Sequence, residues 1–93
     1  MYNKKYRLTK IEEFGRHNHL YDGIEGSVCY LVYLNVGERG WFLYERKDEY
    51  WYIPHRVHTS LVQSVDYSQE GKVILTTEHT RFIFELETHS GDN

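Results

Sequence analysis

The stretch from Ser27 to Arg46 limits what this chain can fold into more than any other. It reads S-V-C-Y-L-V-Y-L-N-V, then G-E-R-G, then W-F-L-Y-E-R, two apolar runs joined by a four-residue turn. Val, Tyr and Leu fill positions 28–36 almost without interruption, and such residues suit a crowded, pleated surface. Alternation places Val28, Tyr30, Val32, Leu34 and Val36 on one face and Cys29, Leu31, Tyr33 and Asn35 on the other. Both faces are largely apolar, which a strand covered on one side only does not need. A buried helix can carry a similar run, but β-branched and aromatic residues dominate here, and Gly26 and Gly37 bracket the segment. Gly37 and Gly40 suit the positive φ of a hairpin loop, with Glu38 and Arg39 at its tip. The return strand sends Trp41, Leu43 and Glu45 to one side and Phe42, Tyr44 and Arg46 to the other. So apolar a hairpin is not stable alone in water. Further strands must cover it, and Val28, Val32 and Leu34 are expected to be inaccessible.

Those strands can be read on either side of the hairpin. Tyr6–Leu8 is a short strand. Thr9-Lys10-Ile11-Glu12 then matches a capping box, with Gly15 placed to stop a single helical turn near residues 10–14, although a strand throughout fits nearly as well. Arg16 to Gly26 has no sustained period and reads as a long loop. Tyr50–Ile53 forms a strand that stops at Pro54, which belongs at a strand end or an edge. Residues 55–59 continue extended or turn a corner. Leu61 to Tyr67 alternates, with Leu61, Gln63, Val65 and Tyr67 on one face. After a turn at Ser68–Gly71, residues 73–77 and 81–87 form the last two strands, with Phe82, Phe84 and Leu86 facing inward. Connections of mostly two to five residues force antiparallel neighbours. The expected fold is all-β: an antiparallel meander of six or seven strands curled into a small barrel or roll, which removes most open edges.

Ninety-three residues allow one domain, 1–93, with 1–5 and 88–93 expected to fray. A chain of this size buries roughly 60–65% of its unfolded surface, enough to fold without staples. Cys29 is the only cysteine, so no internal disulfide forms, and its mid-strand position makes it a buried thiol. The N-terminal residues lack the apolar core of a signal peptide, and no run reaches membrane-spanning length, so the cytosol is the expected compartment. The net charge of −3 is unevenly spread. Lys4, Lys5, Arg7, Lys10 and Arg16 make the N-terminus basic, while the remainder is acidic. That balance disfavours nonspecific duplex DNA binding and leaves open a partner protein with a basic surface.

The parts for catalysis are sparse. No serine sits in a glycine-flanked elbow, no glycine-rich phosphate loop is present, and the acid pairs Glu12-Glu13 and Asp48-Glu49 suit solvated charge runs. Six histidines are an enrichment. His17 and His19 would point the same way on extended chain and could share an ion, whereas His55 and His58 could chelate only in a turn. The bland alternative is exposed or partner-contacting histidines, and the expectation is no catalytic residues, no metal and no cofactor. No motif assigns the chain to a family.

Aromatic residues are the strongest deviation in composition, with nine Tyr, two Trp and four Phe. A single small core cannot hold them all, and Tyr, Trp and Arg dominate binding hot spots. The segment 41–56 holds Trp41, Tyr44, Arg46, Tyr50, Trp51, Tyr52, His55 and Arg56, of which strand alternation lets about half be exposed together. The functional expectation is therefore a non-enzymatic protein-interaction module: an adaptor, a subunit, or an inhibitor of a larger protein such as mobile genetic elements encode. An acidic inhibitor could occupy another protein's basic nucleic-acid channel, and a homodimer through a tyrosine-rich edge is also open. The alternative is a small barrel that stacks single-stranded nucleic acid on its aromatic residues.

Overall fold

The computed structural model describes residues 4–15, 17–47 and 52–87. Six strands in chain order form a closed antiparallel meander barrel: β1 (Tyr6–Glu13), β2 (Val28–Tyr33), β3 (Arg39–Lys47), β4 (Tyr52–Asp66), β5 (Lys72–Thr77) and β6 (Thr80–Leu86). β1 closes the barrel by pairing with β6 along its length, from Tyr6 opposite Leu86 to Glu13 opposite Thr80. Among the described residues no helix is long and apolar enough to cross a membrane.

The interior is packed with Leu8, Cys29, Phe42, Val57, Val62, Val73, Leu75, Phe82 and Phe84. Phe42 meets Phe82 and Phe84 edge-on at 5.5 and 5.2 Å between ring centroids, an arrangement aromatic quadrupoles favour. The inward alternation expected for β6 holds: Phe82 and Phe84 are buried, Leu86 partly so. In β2 the faces are reversed. Cys29 points into the barrel with Leu31 packed against the core, while Val28 and Val32 stay half-exposed. An apolar run on both faces cannot declare which face is inside, and the pairing of Cys29 with Tyr44 and Leu31 with Phe42 decides it.

The helical turn expected near residues 10–14 is absent, because pairing with β6 carries β1 as one strand to Glu13. A register shift between Leu8 and Lys10 inserts one extra residue, so Leu8 and Ile11 both turn toward the core. The segment that matched a capping box, Thr9 to Glu12, thus begins at a bulge and continues as strand. Arg7 and Lys10, expected in a basic arm, lie in the barrel wall and pair with Glu87 and Glu12. Gly37 has the positive φ anticipated for it, +90°. Gly40 instead lies inside β3, where a Cβ would come within 3.0 Å of the Tyr33 carbonyl oxygen and of Val62 Cγ2. Its role is close approach rather than a turn.

β4 is the largest departure. Two expected strands are one of 15 residues that runs through Pro54, which sits opposite Glu45. Among the described residues the first half of β4 pairs with β3 alone, and β5 joins only at Val62, so the proline interrupts no second ladder. Register shifts near Ser60 and Gln63 turn the strand twice. They bury Val62, leave Leu61 exposed and pack Val65 against the core, which splits the single face expected for Leu61 and Val65.

The loop from Phe14 to Ser27 closes one end of the barrel. It holds a short 3₁₀ turn, His19–Tyr21, and drops Tyr21 and Ile24 into the core, with Tyr21 edge-on to Phe82 at 5.2 Å. Gly26 N–H donates to the Leu8 carbonyl at 2.6 Å, and Ile11 N–H donates to the Glu25 carboxylate at 2.9 Å, so the loop is stitched to β1.

Candidate functional site

β3 and β4 carry the outward face on which the expected contact residues fall. Gly40, Phe42 and Tyr44 share the parity that faces the core, which turns Arg39, Trp41, Leu43 and Glu45 outward. Trp41 pairs with His58 across the ladder, and Leu43 with Arg56. The three side chains Trp41, Arg56 and His58 meet there. The Arg56 guanidinium lies 4.5 Å from the Trp41 ring centroid, and the His58 ring is 6.1 Å from it at a tilt of 31°. A cation over an indole face is attracted by the ring quadrupole, at about 0.5–1 kcal/mol on an exposed surface. That attraction favours the Trp41–Arg56 contact a few-fold before any partner arrives.

Tyr44 and His55 form a second, separate stack on the opposite face, 5.4 Å apart and tilted by 29°, with Tyr44 packed against the core. The structure thus brings Trp41 and Arg56 together, sets Tyr44 and His55 apart from them, and adds His58. Arg46 and Tyr52 enter the ladder opposite Ile53 and Lys47. Tyr50 and Trp51 lie outside the described residues. His55 and His58 sit on opposite faces of a continuous strand and cannot chelate together.

Charge on the wall around the trio is mixed, with Arg39 and Arg56 set among Glu38 and Glu45. Among the described residues neither Arg39 nor Arg56 has a carboxylate within ion-pairing distance. The carboxylates of Glu38 and Glu45 on the same wall instead accept hydrogen bonds from the hydroxyls of Tyr33 and Tyr30. Burial and the Glu45 carboxylate push the Tyr30 phenol up to about 12, so it remains a donor throughout the neutral range.

His58 also forms one wall of a cleft of about 930 Å³. The other walls are the 14–21 segment and the β5–β6 turn, and Tyr21, Thr59 and Thr80 lie at its base. Four of the six histidines line it: His17, His19, His58 and His79. The buried polar groups at the base are satisfied. Gly40 N–H donates to Thr59 Oγ1 at 3.0 Å, and the Thr77 hydroxyl donates to the Thr80 carbonyl at 3.1 Å. Sequence reasoning could not find this cleft, because residues from four separate segments meet there.

At the mouth of the cleft His17 is gripped from both sides. Its Nδ1 lies 2.7 Å from Glu13 Oε1 and its Nε2 lies 2.7 Å from Asp22 Oδ1. Hydrogen bonds accepted by Glu13 and then Asp22 raise the pKa of His17, and the Asn18 N–H and His17 hold that of Glu13 low. His19 Nδ1 approaches the other Asp22 oxygen at 3.3 Å, and the His17 and His19 rings meet edge-on at 4.8 Å. Cys29, by contrast, is sealed in the core, where burial pushes its thiol up to about 12 and leaves it no nucleophile. No family model matches the chain, and no curated protein or solved structure is significantly similar to it.

Proposed function

We propose that the protein is a non-enzymatic interaction module whose outward β3–β4 wall binds an acidic segment of a partner protein. The observation that supports this best is the preassembled trio of Trp41, Arg56 and His58. Core packing does not require an arginine stacked on an indole at the outer wall. Fixed aromatic area flanked by guanidinium groups is the composition of a hot spot, because little side-chain freedom is lost on binding. Arg39 and Arg56, without carboxylate partners among the described residues, would be matched by acidic groups on the partner. An adaptor, a subunit and an inhibitor of a larger protein all fit this chemistry, and cytoplasmic placement remains the companion proposal.

The same trio favours a second reading, a platform for a single-stranded nucleic acid, since a base can stack on an indole while arginine meets phosphate. Affinity purification from the native host, with wild type and the Trp41→Ala/Arg56→Ala variant as baits, tests the first reading. A protein retained by wild type and lost by the folded variant supports it. Equal retention by both baits removes the trio from the interface. Salt-sensitive micromolar binding of a labelled oligonucleotide, with no protein partner, transfers the assignment to nucleic acid.

A further inference from the structure

We propose that His17, His19 and Asp22 form a binding site for one divalent transition-metal ion of the zinc class, with Glu13 as the positioning residue that orients His17. One ligand atom from each of the three lies within 4.8 Å of the others. A tetrahedral zinc ion with bonds of about 2.0–2.1 Å needs donors about 3.3 Å apart. The Asp22 carboxylate already stands 2.7 Å from His17 Nε2 and 3.3 Å from His19 Nδ1, so only small side-chain adjustments separate this cluster from a coordination shell. His19 is the ligand that must move furthest, and its side chain is 87% exposed and free to do so.

The surroundings of His17 point to a ligand as well. Metal-bound histidines characteristically donate the second ring N–H to a carboxylate, which fixes the tautomer and aims the other nitrogen at the ion. Glu13 does this for His17 Nδ1 at 2.7 Å, and Glu13 is itself fixed by the Asn18 N–H on its second oxygen, also at 2.7 Å. Nε2 is thereby directed at Asp22. With neutral imidazoles, Glu13 and Asp22 give the cluster two negative charges, which a divalent ion neutralises. Two imidazoles with one carboxylate select zinc, cobalt or nickel over magnesium and calcium. Three protein ligands leave a position for water beside the cleft that His17 and His19 line. The ion would also tie the end of β1 to the loop that closes the barrel.

The test uses the intact protein and Zn²⁺ or Co²⁺ alone as the probe. Isothermal titration with Zn²⁺ should give one saturable site, and Co²⁺ should develop a visible ligand-field band that zinc abolishes. Asp22→Asn and His19→Asn should each weaken binding at least tenfold, and Glu13→Gln by roughly 10–100-fold. His19→Asn is the safeguard should other variants unfold, because its ring is exposed and lies outside the core. Absence of a saturable site below millimolar Zn²⁺ overturns the proposal. So does unchanged affinity in both the His19→Asn and Asp22→Asn proteins, which would place the ion elsewhere.

Discussion

Replacing Ile24 by alanine should destabilise the protein by about 3 kcal/mol, although Ile24 lies in a segment without strand structure. The side chain is 1% exposed and packs in the main core beside Tyr21. Alanine removes three carbons, worth about 0.8 kcal/mol each in transfer from water, or about 2.4 kcal/mol. A residual cavity adds to this, and measured Ile→Ala costs run at about 2–5 kcal/mol. Ile24→Val removes one carbon and should cost about 0.5–1.5 kcal/mol. In a domain of this length each kcal/mol lowers Tm by roughly 4–8 °C, so Ile24→Ala should melt roughly 10–25 °C early. Urea unfolding followed by far-UV circular dichroism and tryptophan fluorescence gives the free energy, with an unchanged slope confirming that the folded state keeps its compactness. A change below about 0.5 kcal/mol for Ile24→Ala, the size expected of an exposed loop position, would refute the barrel-closing role of residues 14–27.

Three other outcomes follow from the same geometry. Gly40→Ala should cost about 1–3 kcal/mol in thermal melts, since its Cβ would press on backbone at 3.0 Å, and a neutral result would contradict the close approach of β3 to the Tyr33 carbonyl. Cys29 should resist a thiol reagent at pH 8 in the native protein and react at once in denaturant, because its thiol is buried with a pKa near 12; rapid native labelling would contradict the inward face of β2. Asp66 accepts hydrogen bonds from the Ser68 hydroxyl and backbone N–H, which lower its pKa from 3.8. The contribution is present above pH 3.8 and is lost as pH falls through the lowered value, so the stability gap to Asp66→Asn should narrow on acidification. A gap that stays constant or widens in acid would contradict the bond.

Strand identity was legible wherever one face is polar. β6 alternates Phe82, Phe84 and Leu86 with charged neighbours, and its orientation follows directly. β2 is apolar on both faces, so alternation found the strand but not its inside. β1 and β4 hide bulges, and one inserted residue flips every side chain beyond it. That is why Leu61 and Val65, read on one face, are separated, with Leu61 exposed and Val65 against the core. The contact segment was legible as composition but not as a surface. Trp41 and Arg56 share a face only because Trp41 pairs with His58 rather than with a neighbour of opposite parity, and nothing local in the sequence fixes that register. Among the described residues surplus rings do reach solvent, but at Phe14, Tyr33 and Tyr67, with Trp41 half-buried. The cleft was not legible, since its histidines are brought together only by barrel closure, although the spacing of Tyr21 and Ile24 could have marked the loop as a plug.

The most direct test of the binding role is a two-dimensional amide spectrum of the labelled protein, recorded with and without the captured partner. Shifts should cluster at residues 39–43 and 55–60 and include the Trp41 indole N–H, and Trp41→Ala should reduce affinity at least about 30-fold, as expected for a hot spot worth 2 kcal/mol or more. Shifts confined to β5 and β6, or full affinity without the Trp41 indole, would contradict a recognition face on the β3–β4 wall.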